Sequence, residues 1–324
     1  MEKNLTSIKS LQEETLRNLK NSKSQNTIRA YQSDFRDFEI FCNGNGFNSL
    51  PTEPKIIALY LTSLAKSSKF STLKRRIASI SVIHKMKGHY IDTKHPLIIE
   101  NLLGIKRTIG SHQKSKKPLL INDLKLLINP LLEMEKEKVW INKSNNSMEV
   151  ENWVKRKRNK ALLLIGFAGG FRRSELVNIH YEDVEFVPEG VKIFIKRSKT
   201  DQSGQGMIKG IPYFDNKDYC PVNALQKWID YINTNYKQTS GKIFPISDKG
   251  VALIIKKYAL WVGLDPNKYA GHSLRSGFAT SAAEAGAEER NIMAMTGHKT
   301  TQMVRRYIKE ANIFKNNALN KIKI

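Results

Sequence analysis

The chain has 324 residues, with 54 Lys and Arg against 30 Asp and Glu, a formal net charge of +24. That length accommodates two domains and a sizeable core, and a hydrophobic content of 40% is ordinary for a globular chain. Two widely separated cysteines, Cys42 and Cys220, do not indicate a disulfide framework and suit a reducing compartment. No apolar run reaches the length of a membrane span, and the opening MEKNLTSIKSLQEE is too polar for a signal peptide. Basic residues occur in every segment, so the expected partner is a polyanion, with nucleic acid ahead of an anionic membrane surface. A merely soluble basic protein is the competing reading.

The first hundred residues read as helical. Ile28, Tyr31, Phe35, Phe38 and Phe41 recur at helical spacing. That helix is capped at Asn26 or Thr27 and stops at Asn43-Gly44-Asn45-Gly46. The aromatic stripe is core. A second helix follows Pro54, with Ile57, Leu61 and Leu64 on one face. A third covers 72–86, with Leu73, Ile77, Ile80 and Ile83/His84 inside and Lys74, Arg75 and Arg76 outside. The basic triplet is either a solvated face or a contact to phosphates. A fourth amphipathic helix, 96–107, closes the bundle.

Residues 111–118, Ser-His-Gln-Lys-Ser-Lys-Lys-Pro, have linker composition and mark a domain boundary. The second domain opens with Asn122-Asp123 capping a helix through Leu127. Residues 133–157 are polar and read as a helix with a loop insertion, without chemistry. The run 159–168 is strongly apolar and predicts a buried helix ending at Gly169-Gly170, a turn that permits close backbone approach. Arg172 and Arg173 follow, then Ser174-Glu175-Leu176 begins another helix. Strands are expected at 184–186, 191–195 and 207–211, joined by turns at 188–190 and 201–206. Lys199 stands at the end of the second strand. Helices resume at 222–231, at 249–262 and through 271–307. The tail 308–324 carries Ile313, Phe314, Leu319 and Ile322, enough for an apolar helix that docks elsewhere.

The chemistry concentrates between Gly271 and Tyr307. His272 and Arg275 lie three residues apart, sharing a face on a helix. His298 follows Gly297, and Tyr307 comes nine residues after His298. No Cys is near and no Glu sits between His at ligand spacing, so a zinc site is not indicated. Two His, an Arg and a Tyr suit an anion, and for so basic a chain that anion is a phosphodiester.

The order H-S-L-R, then T-G-H, then a Tyr nine residues on, resembles the signature of the tyrosine recombinases, the phage integrase family. The family's first Arg box has its counterpart in GFRRSEL, Gly170 to Leu176. Arg173 departs from that box, whose corresponding position is usually apolar. The resemblance implies a mainly α fold with a small antiparallel β-sheet, in two domains. Residues 1–110 would form a four- to five-helix core-binding domain. Residues 111–118 would be a basic linker, and 119–324 a catalytic domain with tail 308–324 for subunit contact. The two domains would close on DNA as a C-shaped clamp.

By the same resemblance, Tyr307 attacks the scissile phosphate and forms a 3′-phosphotyrosyl link. Arg172 and Arg275 clamp that phosphate, and Lys199 protonates the 5′-oxygen. His272 moves the tyrosine's proton, His298 hydrogen-bonds the phosphate, and Glu175 orients its neighbours. On the chain's charge rather than the resemblance, Lys74, Arg75 and Arg76 are expected to touch DNA. The resemblance implies no cofactor, no metal, no small-molecule substrate and no membrane. The partners would be a double-stranded DNA recombination site and three further copies, a homotetramer on two DNA sites, in the cytoplasm on the nucleoid. Two rival readings stay open: a type IB topoisomerase with the same tyrosine chemistry, and a non-catalytic DNA-binding protein.

Overall fold

The computed structural model describes residues 8–110, 115–136, 153–196, 205–311 and 318–322. The fold is mainly α with one small antiparallel sheet. The chain divides into two compact units, Met1–Lys114 and Ser115–Ile324.

The first unit holds α1 (Ile8–Asn21), α2 (Gln25–Gly44), α3 (Pro54–Leu64), α4 (Phe70–Met86) and α5 (Pro96–Ile109). α2 starts at Gln25, ahead of the expected cap at Asn26 or Thr27, because Ser24 is the cap. Its backbone is extended and its Oγ accepts the Thr27 N–H at 3.3 Å. Pro54 and Pro96 occupy the first turns of α3 and α5, where a missing N–H is harmless. Phe35 and Phe38 meet Ile57, Tyr60, Leu61, Leu73, Ile80 and Ile98 in one core, while Ile28 and Tyr31 stay half-buried. His84, at the foot of α4, is enclosed with both ring nitrogens engaged, by Thr52 N–H and by Ile80 O.

The second unit begins with α6 (Ile121–Lys136), which outruns its expected end at Leu127. It passes through Pro130 because Leu127, Ile128 and Leu131 are all buried, and that packing outweighs the lost hydrogen bond. The insertion expected within 133–157 falls mostly at 137–152, outside the described residues. α7 (Trp153–Ala168) is the axis of the unit, with every residue from Asn159 to Ala168 buried. After it come the short α8 (Arg173–Leu176) and three strands, β1 (Val184–Val187), β2 (Gly190–Ile195) and β3 (Met207–Pro212). They pair antiparallel in the order β1-β2-β3. Val191, Ile193, Ile195 and Ile211 point into the core, and Phe194 and Ile208, paired in register, point out.

α9 (Pro221–Tyr236) and α10 (Asp248–Trp261) pack Trp228, Ile232, Ile255 and Tyr258 onto that core. α11 (Ser273–Glu284), α12 (Glu289–Thr296) and α13 (Thr301–Ala311) complete the unit around a small separate cluster of Ala279, Ala283, Ile292 and Val304. Of the tail, Ile313 and Phe314 lie outside the described residues, and 318–321 form one short 3-10 turn with Leu319 exposed. Among the described residues no helix is long and apolar enough to cross a membrane.

Candidate active site

Two walls of backbone build the site. The first is the turn after α7. Gly170 has φ +55°, and a side chain there would press within 3.0–3.1 Å of Phe278 and Thr296. Glycine alone fits both conditions. The turn aims the Gly170 carbonyl at Arg275, whose Nη1 donates to it at 2.9 Å. Arg275 is 1% exposed, and its Nη2 is buried without a partner among the described residues. Burial, then the charge of Arg172, pulls this guanidinium down to about 10, opposed by Glu175 and Tyr307. A buried donor without a partner, beside a second guanidinium, has hydrogen-bonding capacity left that would suit an anion.

Arg172 stands at the head of α8. Glu175, buried, takes the Arg172 backbone N–H on one carboxylate oxygen at 2.9 Å and the Nη1 on the other at 2.6 Å. This fixes the guanidinium's direction, and its Nη2 reaches Gly297 O at 3.4 Å.

The second wall is the end of α12. Gly297 closes it with φ +62° and a bond from its N–H to Met293 O. His298 follows at once. The Thr296 hydroxyl donates to Ile292 O at 2.6 Å, so it accepts from His298 Nδ1, 2.7 Å away. That pattern leaves Nε2 of the neutral ring as an acceptor. Burial, then Arg275, Arg172, His272 and Lys209, hold His298 down to about 4. α13 stands over this wall, held by fully buried Val304, worth roughly 1.5–3 kcal/mol. One turn on, Tyr307 packs at the margin of the same cluster. Its hydroxyl lies 3.4 Å from His272 Nε2, and its ring 6.0 Å from that of His298. His272 caps α11 with an exposed edge. Crowding by protein lowers its pKa, as do Arg275, Arg172, Arg173 and Arg306. Both shifts favour the neutral imidazole.

Arg172, Glu175, His272, Arg275, His298 and Tyr307 thus come together within one unit. Lys199 belongs to 197–204, outside the described residues. The basic triplet of α4 divides. Lys74 is exposed, and Arg75 is half-exposed and pairs with Asp34 at 2.9 Å. Arg76 is mostly enclosed, bonded to Asp37 and to the Tyr60 hydroxyl. Arg173 is exposed, and its stem lies where a side chain on Gly271 would sit, 1.8 Å from that Cβ position.

Thr296 and Lys209 had no role in the sequence reading. Thr296 carried no signal beyond its place in T-G-H. Lys209 did carry one: it occupies a core-facing position in an alternating strand. Among the described residues no group of three His, Cys, Asp or Glu side chains gathers to hold a metal.

Residues 141–312 match the phage integrase family. A curated relative from Selenomonas ruminantium, an integrase/recombinase xerD homolog, is 40% identical over 321 residues, spanning 94% of this chain and 88% of its own length. A tyrosine recombinase XerC from Leptospira interrogans is 25% identical over 294 residues, covering 88% of this chain and 83% of the relative. Among solved structures, a lambda integrase dimer bound to a COC′ core site superposes with TM-score 0.58 at 18% identity, covering 93% of each chain. The Tn1549 transposon integrase in complex with circular intermediate DNA gives TM-score 0.60 at 16% identity, over 93% of this chain and 94% of the other. At such identities the likeness is one of fold. With the family matched over more than half of this chain, and a 40%-identical relative spanning 94% of it, the chain belongs to the phage integrase family of tyrosine recombinases.

Proposed function

We propose that this protein is a site-specific DNA recombinase that cuts and rejoins DNA through a 3′-phosphotyrosyl link. The observation that carries the reading is the buried, unpartnered Nη2 of Arg275, a guanidinium that feels the charge of Tyr307, beside the Tyr307–His272 pair. The Tyr307 hydroxyl gives its proton toward His272 Nε2, and its oxygen attacks phosphorus. The bond from phosphorus to the 5′-oxygen breaks, and Lys199 supplies that oxygen's proton. Arg172 and Arg275 grip the non-bridging oxygens, where charge grows in the transition state.

Neutral His298 offers only an acceptor at Nε2, so it donates to the phosphate once protonated. An arriving anion offsets the two guanidiniums that hold His298 down and raises its pKa toward that state. The covalent link stores the energy of the broken bond, and a free 5′-hydroxyl from a second strand reverses the step. No step requires a metal, so cleavage proceeds in chelator.

Lys74 and the open edge of Arg75 lie on backbone phosphates of the duplex. Four copies on two DNA sites complete the exchange, with the tail 308–324 in the contacts between subunits. The test is a nicked suicide substrate. A covalent protein–DNA band that is lost in Tyr307→Phe, with binding kept, supports the reading. Tight binding without a band makes the chain a non-catalytic binder. Relaxation of supercoils by single copies, without joint products from two sites, makes it a topoisomerase.

A further inference from the structure

β3 places a lysine where its alternation calls for an apolar side chain. Lys209 pairs with Ile193 in register, faces inward beside Ile211 and is 1% exposed. Its ammonium donates to Gly169 O at 2.6 Å and to Met295 O at 2.5 Å, and lies 4.4 Å from the centre of the Phe171 ring. The two carbonyls belong to the two walls of the site. Gly169 precedes Gly170, whose carbonyl seats Arg275. Met295 precedes Thr296, whose hydroxyl seats His298. Another link across the same gap, Arg172 Nη2 to Gly297 O, is looser at 3.4 Å.

We infer that Lys209 is a positioning residue for strand cleavage. Its ammonium ties the Gly169 turn to the end of α12. It thereby holds Arg275 and His298 at the spacing one phosphate requires, and pins to both the strand β3. The inference rests on the proposed cleavage chemistry. The charged and titratable groups around Lys209 are Glu175 and Arg172 from α8 and its cap, Arg275 from α11, and His298 after α12. Burial first, then Arg275 and Arg172, bring the amine down to about 7, with Glu175 opposing. A charge held there weakens the fold, so a residue serving only as a prop would be apolar. What the amine provides is a short two-sided tether.

Lys209→Met keeps the unbranched length and removes the tether. The assay is single-turnover cleavage of the suicide substrate, alongside DNA titration and thermal melting. Cleavage is expected to fall about 10- to 100-fold, the size of effect that a displacement near 1 Å produces. The DNA Kd should change by less than about threefold, and the melting midpoint should hold or rise. A substrate with sulfur in place of the 5′-bridging oxygen, whose leaving group needs no proton, should suffer the same loss. Lys209→Gln keeps one amide donor and should fall between the two, and it serves if Lys209→Met does not fold.

A cleavage rate within about twofold of wild type overturns the inference. So does full rescue by sulfur, which would make Lys209 the proton donor itself. Failure of both variants to fold would make it a structural residue and also overturn the inference. If wild type forms no covalent adduct, the proposed function fails. If wild type does and Lys209→Met matches it, only the tether fails.

Discussion

Replacing Arg275 by Met removes a guanidinium that the folded chain holds almost wholly away from water. Its depression to about 10 corresponds to about 3 kcal/mol of folding free energy, at about 1.4 kcal/mol per pH unit. The sign follows from the charge being present in folded and unfolded chains alike below pH 10, so the destabilisation persists across the neutral range. Met fills a similar length without charge but leaves Gly170 O unpaired, which returns about 1–3 kcal/mol. The net expectation is a protein more stable by about 1 kcal/mol, seen as a melting midpoint about 2–4 °C higher.

Cleavage should move the other way. Losing a two-pronged, charge-assisted grip forfeits about 3–5 kcal/mol in the transition state, or about 10²- to 10⁴-fold in rate. The assay is melting of both proteins with and without a short DNA duplex, followed by single-turnover cleavage. DNA should stabilise wild type more than the variant, narrowing or reversing the order. A variant destabilised by more than about 2 kcal/mol in the absence of DNA would make Arg275 a structural strut and refute the reading of its open Nη2 as an anion socket.

Gly277→Ala would drive a Cβ to 1.8 Å from the Leu119 carbonyl oxygen, backbone that cannot step aside, and should destabilise the fold by about 1–3 kcal/mol or more. At Gly271→Ala the nearest atoms belong to the flexible stem of Arg173, so its unfolding free energy in urea should stay within about 0.5 kcal/mol of wild type. His298 is held down to about 4 from 6.5, so below pH 6.5 the unfolded chain takes up a proton that the folded chain refuses. Folded stability therefore declines as pH falls from 6.5 to 4, by roughly 2 kcal/mol after discounting for partial exposure. Urea denaturation of His298→Gln should show a flatter acid limb, and an unchanged limb would refute the assignment. Lys74→Ala should lower the slope of log K against log salt by about 0.9 and leave stability alone. Arg76→Ala should instead lose about 1–2 kcal/mol of stability, measured in urea, by stripping Asp37 and Tyr60 of their cation.

The local features of the fold were legible because they depend on neighbours in sequence. Periodicity and punctuation gave α2 to α5 and the three strands to within a few residues, and the buried part of α7 but not its start at Trp153. The spacing of GFRRSEL, H-S-L-R and T-G-H with its later Tyr was enough to gather six site residues by resemblance. α6 outran its expected end because Leu131, beyond Pro130, is buried by helices distant in sequence. Arg75 and Arg76 looked alike on the outer face of α4, yet Asp34 and Asp37, from another helix, give them different surroundings.

Lys209 shows the limit best. Its inward direction follows from strand alternation alone, which is a period-2 property of the chain. That its amine meets carbonyls 40 and 86 residues away, and that the same packing leaves Arg275 Nη2 open, depends on how α7, α12 and β3 converge. Such contacts are set by non-local packing, and no window of sequence contains them.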